Sequence, residues 1–229
     1  MCWWNAAQAI CRTNRKPPTS GDVGLYFRRP VLQKTKTFTQ FLRVTFKGIL
    51  DPLGGFFNRL GIMPNTMTLL GLLLNVVAAY LLSQGQMLAG GLLVLIGGPF
   101  DGLDGTMARL RGEASDFGAF VDSVTDRYSE LFILGGLTYF YAMQGDKTLV
   151  MVCYVAAAGS VLVSYAKARA DSLKFDANTG ILTRVERYLV IAPLLVFNLA
   201  WLAVWTIAIF ANVTALQRIW RVRKQAKGN

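Results

Sequence analysis

An all-α integral membrane protein, with six transmembrane helices behind an N-terminal interfacial amphipathic helix, is the fold class this sequence predicts. Three observations predict it. Of the 229 residues 53% are apolar and only 16% are charged, against roughly a quarter charged in a soluble domain. The apolar residues gather in runs near the ~20 residues that cross a bilayer core. The formal charge of +11 is gathered in a few places, as expected when cations mark one membrane face.

The elements follow in order. Residues 1–32 hold Pro17, Pro18, Gly21 and scattered Arg and Lys, and read as a cytoplasmic tail. They lack a basic stretch followed by a long apolar one, so no cleaved signal peptide is expected. Residues 33–62 mix Phe, Leu and Ile with Lys34, Lys36, Arg43, Lys47 and Arg59. That mixture predicts an amphipathic segment lying in the membrane surface, interrupted at Gly54-Gly55. A six-helix domain is expected over 63–224, with a cytoplasmic tail at 225–229. Its spans are predicted at 65–83, 87–109, 116–143, 147–168, 184–200 and 202–221. The last two divide one long apolar run near Asn198–Trp201.

Charge sets the expected orientation. Ten of the 24 Lys and Arg precede residue 60 and five follow residue 217. Most others fall around 109–127 and 167–187, and only Lys147 lies in an outer connection. Both termini and the two basic loops therefore read as cytoplasmic, in a cell (inner) membrane.

The chain has no histidine. Imidazole bases, imidazole metal sites and Ser-His triads are excluded, leaving carboxylates, Lys, Tyr and Cys for acid–base work. Cys2, Cys11 and Cys153 have no CxxC or metal-ligand spacing. No nucleic-acid partner is expected.

The informative stretch runs from Asp101 to Asp126. Positions 101, 104, 105 and 108 share one helix face, and 118, 122 and 126 share a face of the next. A short turn separates the two helices, which are expected to be antiparallel neighbours with facing carboxylates. Asp101 follows Met87 by about 21 Å of helix at ~1.5 Å per residue, so the cluster sits toward the cytoplasmic side of a ~30 Å core. An Asp at the centre of a span costs about 2.5–3.5 kcal/mol, and like charges repel further. Divalent cations remove both conflicts. An all-oxygen donor set suits Mg²⁺ or Mn²⁺, and two such ions could hold a diphosphate. Gly105 and Gly118 lie on the carboxylate faces, where a missing side chain admits a ligand; the competing reading is helix packing. Pro99 can kink the span just before the site.

The pattern D-x2-D-G-x2-A-R-x8-G-x3-D-x3-D is complete in Asp101, Asp104, Gly105, Ala108, Arg109, Gly118, Asp122 and Asp126. It resembles the signature of the CDP-alcohol phosphotransferases over roughly 60–224. The resemblance implies that Asp101, Asp104 and Asp122 bind a pair of divalent ions with Asp126 close by. It implies that Asp126 is also the base that deprotonates the acceptor hydroxyl. Gly105, Ala108, Arg109 and Gly118 would contact the nucleotide, and Asn65 and Thr68 would flank the cytidine pocket. The implied donor is a CDP-diacylglycerol-like lipid, the leaving group CMP, and the assembly a homodimer.

For the acceptor, Lys167, Arg169, Arg184 and Arg187 could converge on the carboxylates and suit a phosphate, although the positive-inside rule alone puts cations there. The SYAKARA run, Arg184-Val185-Glu186-Arg187 and Asp122 to Glu130 resemble the phosphatidylinositol-phosphate synthase branch. Inositol 1-phosphate is the acceptor this implies. Val185 departs from the branch's usual Pro, while Ser123 and Arg127 depart from the glycerol-phosphate branch. Glycerol 3-phosphate or another alcohol is the alternative acceptor. An intramembrane prenyltransferase is a further alternative, though such enzymes separate their Asp motifs more widely. A divalent-cation transporter is another, though its carboxylates belong near the midplane.

Overall fold

The computed structural model describes residue 48 and residues 51–113 and 115–227; the side chains of Pro99 and Asp101 are outside this description. The tail expected at 1–32 and most of the expected surface segment, including Lys34, Lys36, Arg43 and Lys47, also lie outside it.

The described chain is helical. The helices are α1 (Pro64–Ser83), α2 (Met87–Arg111), α3 (Asp116–Met143), α4 (Lys147–Ser172), α5 (Arg184–Val196) and α6 (Ala200–Lys227). Their ends follow from local chemistry. Pro64 opens α1, where its missing N–H costs nothing. Ser115 caps α3 by accepting the Gly118 N–H at 3.1 Å, and Asp146 caps α4 by accepting from Leu149 at 2.9 Å. Before α5, the Thr183 N–H donates to the Glu186 carboxylate. The long apolar run after Arg184 breaks at Asn198, which adopts φ 60° between α5 and α6.

α1, α2, α4 and α6 are each long and apolar enough to cross a membrane. α3 has the length, but it carries Asp122, Asp126, Arg127 and Glu130 within its first 15 residues. α5 has only 13 residues, about 20 Å of helix, short of a ~30 Å core.

The helices close a ring. α1 packs on both α2 and α3, α2 on α5, α5 on α6, α6 on α4, and α4 back on α3. The expectation that α2 and α3 pair directly is corrected here: they touch only marginally, and α1 lies against both. A short link brings two helix ends together but does not oblige the helices to pack along their length. Gly136 on α3 explains why α1 wins that place. A Cβ there would collide with the backbone carbonyl of Ala79 on α1. Gly136→Val is therefore expected to destabilise the protein by about 1–3 kcal/mol, read as a lower melting temperature in detergent.

One end of the ring is apolar and the other polar. Leu82, Val94, Ile133, Leu137, Cys153, Leu195, Val204 and Ile207 belong to a buried core near the α1–α2, α3–α4 and α5–α6 turns. The opposite end buries Thr68, Asp104, Asp126, Glu130, Arg187 and Arg218. Outside the ring, the helical stretch 51–59 docks on α2. Gly54 faces Thr106 and Met107, Phe57 and Ile62 pack on Met67, Leu103 and Met107, and Arg111 Nε donates to Asn58 Oδ1 at 2.8 Å. Leu53, Phe56 and Leu60 remain exposed.

Candidate active site

The polar end is assembled by α1, α2, α3 and α5. Asp104 is only 6% exposed and accepts from Thr68 Oγ1 at 2.5 Å. Thr68 thus serves as the α1 contribution to the carboxylate cluster. Asp122 enters from α3 within electrostatic reach of both Asp104 and Asp126. Its Oδ1 is buried and has no hydrogen-bond partner among the described residues. Asp126, 4% exposed, pairs with Arg184 of α5 and lies 3.6 Å from Arg127.

One turn deeper, Glu130 holds Arg187. Arg187 Nε donates to Glu130 Oε1 at 2.5 Å and Nη2 to Oε2 at 3.0 Å. Nη1 donates to the Leu182 carbonyl at 3.3 Å. Two of the five guanidinium N–H donors are left over by these bonds. The Asp126–Arg184 and Glu130–Arg187 pairs form two rungs from α3 to α5. They exist because the helical period places 126 and 130 on one face of α3, and 184 and 187 on one face of α5.

The other expected site residues divide by position. Gly105 is exposed, and a Cβ there would meet only the Arg109 guanidinium, at 3.9 Å. At Gly118 it would lie 3.2 Å from Ser115 Oγ and 3.9 Å from Asn65 Oδ1. Neither glycine admits a packed helix, in contrast to Gly136. Asn65 is exposed and Ala108 half-buried, and Arg109 donates to Thr106 Oγ1 at 2.9 Å. Lys167 and Arg169 are exposed near the end of α4.

Glu130 was not among the expected site residues. The signal was present, since 118, 122, 126 and 130 continue one face at four-residue spacing. Arg218 is one of the five cations that follow residue 217. It is buried and donates to the Thr179 and Val163 carbonyls at 2.9 and 2.6 Å.

A hard divalent cation fits the chemistry of this end: the donors are carboxylate oxygens, and Asp122 Oδ1 is buried without a partner. Among the described residues no three potential ligands stand close enough together to enclose an ion. Asp101, one turn before Asp104 on the same face, has its side chain outside the description.

The helical ring has membrane-length spans and, at one end, buried carboxylates with cations beside them. The family model for CDP-alcohol phosphatidyltransferase matches residues 61–217, and the chain belongs to that family. It is 35% identical to a phosphatidylinositol phosphate synthase of Mycobacteroides abscessus over 190 residues, covering 79% of this chain and 86% of that one. It also resembles the crystal structure of Mycobacterium tuberculosis phosphatidylinositol phosphate synthase with CDP-DAG bound. There the TM-score is 0.71 at 30% identity, over 76% of this chain and 93% of the other. The same mycobacterial enzyme in complex with manganese and citrate gives a TM-score of 0.72 at 29% identity, over 76% and 88%.

Proposed function

We propose that this protein transfers a phosphatidyl, or other lipid-phosphate, group from a CDP-lipid to a hydroxyl of inositol 1-phosphate, releasing CMP. The observation that carries the reading is the two-rung arrangement: carboxylates and guanidinium groups meet at one end of a membrane ring, so cations stand beside the metal-type cluster. The likeness to phosphatidylinositol phosphate synthases supports the same acceptor.

In this reading Asp101, Asp104, Asp122 and Asp126 hold divalent ions, two in number, Mg²⁺ or Mn²⁺. When bound, these ions neutralise the diphosphate of the donor. The chain's own groups do the rest. Thr68 orients Asp104 through its hydroxyl. The open faces at Gly105, Ala108 and Gly118, with Asn65 and Arg109 beside them, admit the cytidine nucleotide. Asp126 accepts the proton of the acceptor hydroxyl, whose oxygen forms the new bond to the lipid-side phosphorus as the bond to CMP breaks. Lys167, Arg169 and Arg184 neutralise the acceptor phosphate, and Arg187 offers the donors that Glu130 and Leu182 leave over.

The same reading extends to the membrane. All six helices cross it, with α3 turning its charged half inward and short α5 working with α6. Residues 33–62 lie in the cytoplasmic surface, both termini and the site face the cytoplasm, and two copies form a dimer.

An acceptor panel tests the function. The protein in lipid nanodiscs is incubated with labelled CDP-diacylglycerol and, separately, inositol 1-phosphate, free inositol, glycerol 3-phosphate or serine. CMP release above background is expected with inositol 1-phosphate. Release driven equally well by glycerol 3-phosphate would overturn the acceptor assignment. Absence of CMP release with every acceptor would overturn the donor.

A further inference from the structure

The connection between α4 and α5, residues 173–183, is not helical after its first turn. It is gripped by one face of α6. Thr214, Arg218, Arg221 and Gln225 are spaced i, i+4, i+7 and i+11, so they line that face over about 16 Å. Each holds the connection by name. Thr214 Oγ1 accepts the Leu182 N–H at 3.1 Å. Arg218 Nε donates to the Thr179 carbonyl at 2.9 Å. Arg221 Nη2 donates to Asp176 Oδ2 at 2.6 Å. Gln225 pairs with the backbone of Asp176 on both sides, Oε1 accepting its N–H at 2.9 Å and Nε2 donating to its carbonyl at 2.6 Å.

Residues 176–182 therefore run as a strap, antiparallel to α6. The fit is close: at Gly180, with φ 141°, a Cβ would strike the Thr214 methyl. Asp176 is anchored for neutral conditions. The Asn178 backbone N–H and then Arg221 hold its carboxyl below the usual carboxylate value, so its charge is lost only when pH falls through that lowered value.

The strap ends where the site begins. Leu182, held by Thr214, also accepts from Arg187. Thr183 starts α5, and Arg184 reaches Asp126. We propose that Gln225, acting through Asp176 and the strap, is a positioning residue for the acceptor: the cytoplasmic end of α6 fixes where α5 starts, and with it the placement of Arg184 and Arg187. The proposal rests on the assignment of those cations to the acceptor phosphate. The carboxamide of Gln225 is suited to the task because it meets the backbone donor and acceptor of one residue together, which no cationic side chain on this helix end can do.

The test is steady-state kinetics of the full chain in nanodiscs, varying inositol 1-phosphate and CDP-diacylglycerol in turn, for Gln225→Ala, Thr214→Val, Arg184→Ala and the exposed control Lys224→Ala. For Gln225→Ala, loss of this grip is expected to raise the acceptor KM about fivefold, with donor KM unchanged and kcat recovered at saturating acceptor. Thr214→Val should act in the same direction, and Lys224→Ala should match the parent. An unchanged acceptor KM in both strap variants, with a raised one in Arg184→Ala, overturns the strap while keeping the acceptor site. A raised acceptor KM in the strap variants with Arg184→Ala unaffected keeps the strap but overturns Arg184. Equal changes in donor and acceptor KM overturn the positioning role, since general loosening of the fold would do that.

Discussion

Replacing Asp126 with Asn is expected to cut CMP release by about two to four orders of magnitude, the usual worth of a positioned acid–base group. The amide keeps the size of the carboxyl, and its oxygen can still accept from the Arg184 guanidinium that meets Asp126 across the ring. What it cannot do is take a proton from the acceptor hydroxyl. The variant should therefore fold, melt close to the parent and fail in turnover. Asp126 is suited to the role because it is the carboxylate that faces both halves of the site: Asp122 and Asp104 on one side, and a guanidinium of α5 on the other. The measurement is initial-rate CMP release at saturating inositol 1-phosphate, with melting temperature recorded alongside. A turnover within about tenfold of the parent would remove Asp126 as the base.

The helix face that carries Asp126 was legible in the sequence because its signal is local. Four-residue spacing puts Asp126 on a face with Gly118 and Asp122, and the helix that carries it, Asp116–Met143, starts and ends as the sequence predicts. The divisions between helices were legible for the same reason. Short polar turns and the Asn198 break are written in a few adjacent residues, and the observed α5–α6 gap falls at that break. Partners far apart in the chain were not legible. Thr68 finds Asp104 across 36 positions and Arg187 finds Glu130 across 57; nothing in either neighbourhood names the other. The order of packing was hidden too. The short link after Arg111 suggested that α2 and α3 pair, whereas the choice was made by a backbone-to-backbone approach at Gly136 that composition does not disclose. The strap on α6 was missed because its cations are what the positive-inside rule supplies anyway. Only the three-dimensional register separates Arg218, turned inward, from Lys224 on the exposed side.

Glu130→Ala is expected to destabilise the protein by about 3–5 kcal/mol, the effect of leaving a buried charge without its counterion. Arg187 is 2% exposed, and its guanidinium stays charged under all ordinary conditions. Removing Glu130 strips it of two bonds, at 2.5 and 3.0 Å. The Leu182 carbonyl alone would remain among its bonded partners. The loss should appear as a large drop in melting temperature in detergent, and a melting temperature within about 2 °C of the parent would show that the pair does not support the fold. The double variant Glu130→Leu with Arg187→Met then separates stability from function. Apolar side chains of similar bulk can replace a buried ion pair without loss, and sometimes with gain, because they avoid its desolvation. The double variant should recover much of the melting temperature, giving strongly non-additive energies in a mutant cycle. In the proposed reading its turnover should stay low, because there Arg187 offers its two remaining N–H donors to the acceptor phosphate. A fold that tolerates an apolar pair and an enzyme that does not would mean that this charge pair is retained for the chemistry of the site, with stability secondary.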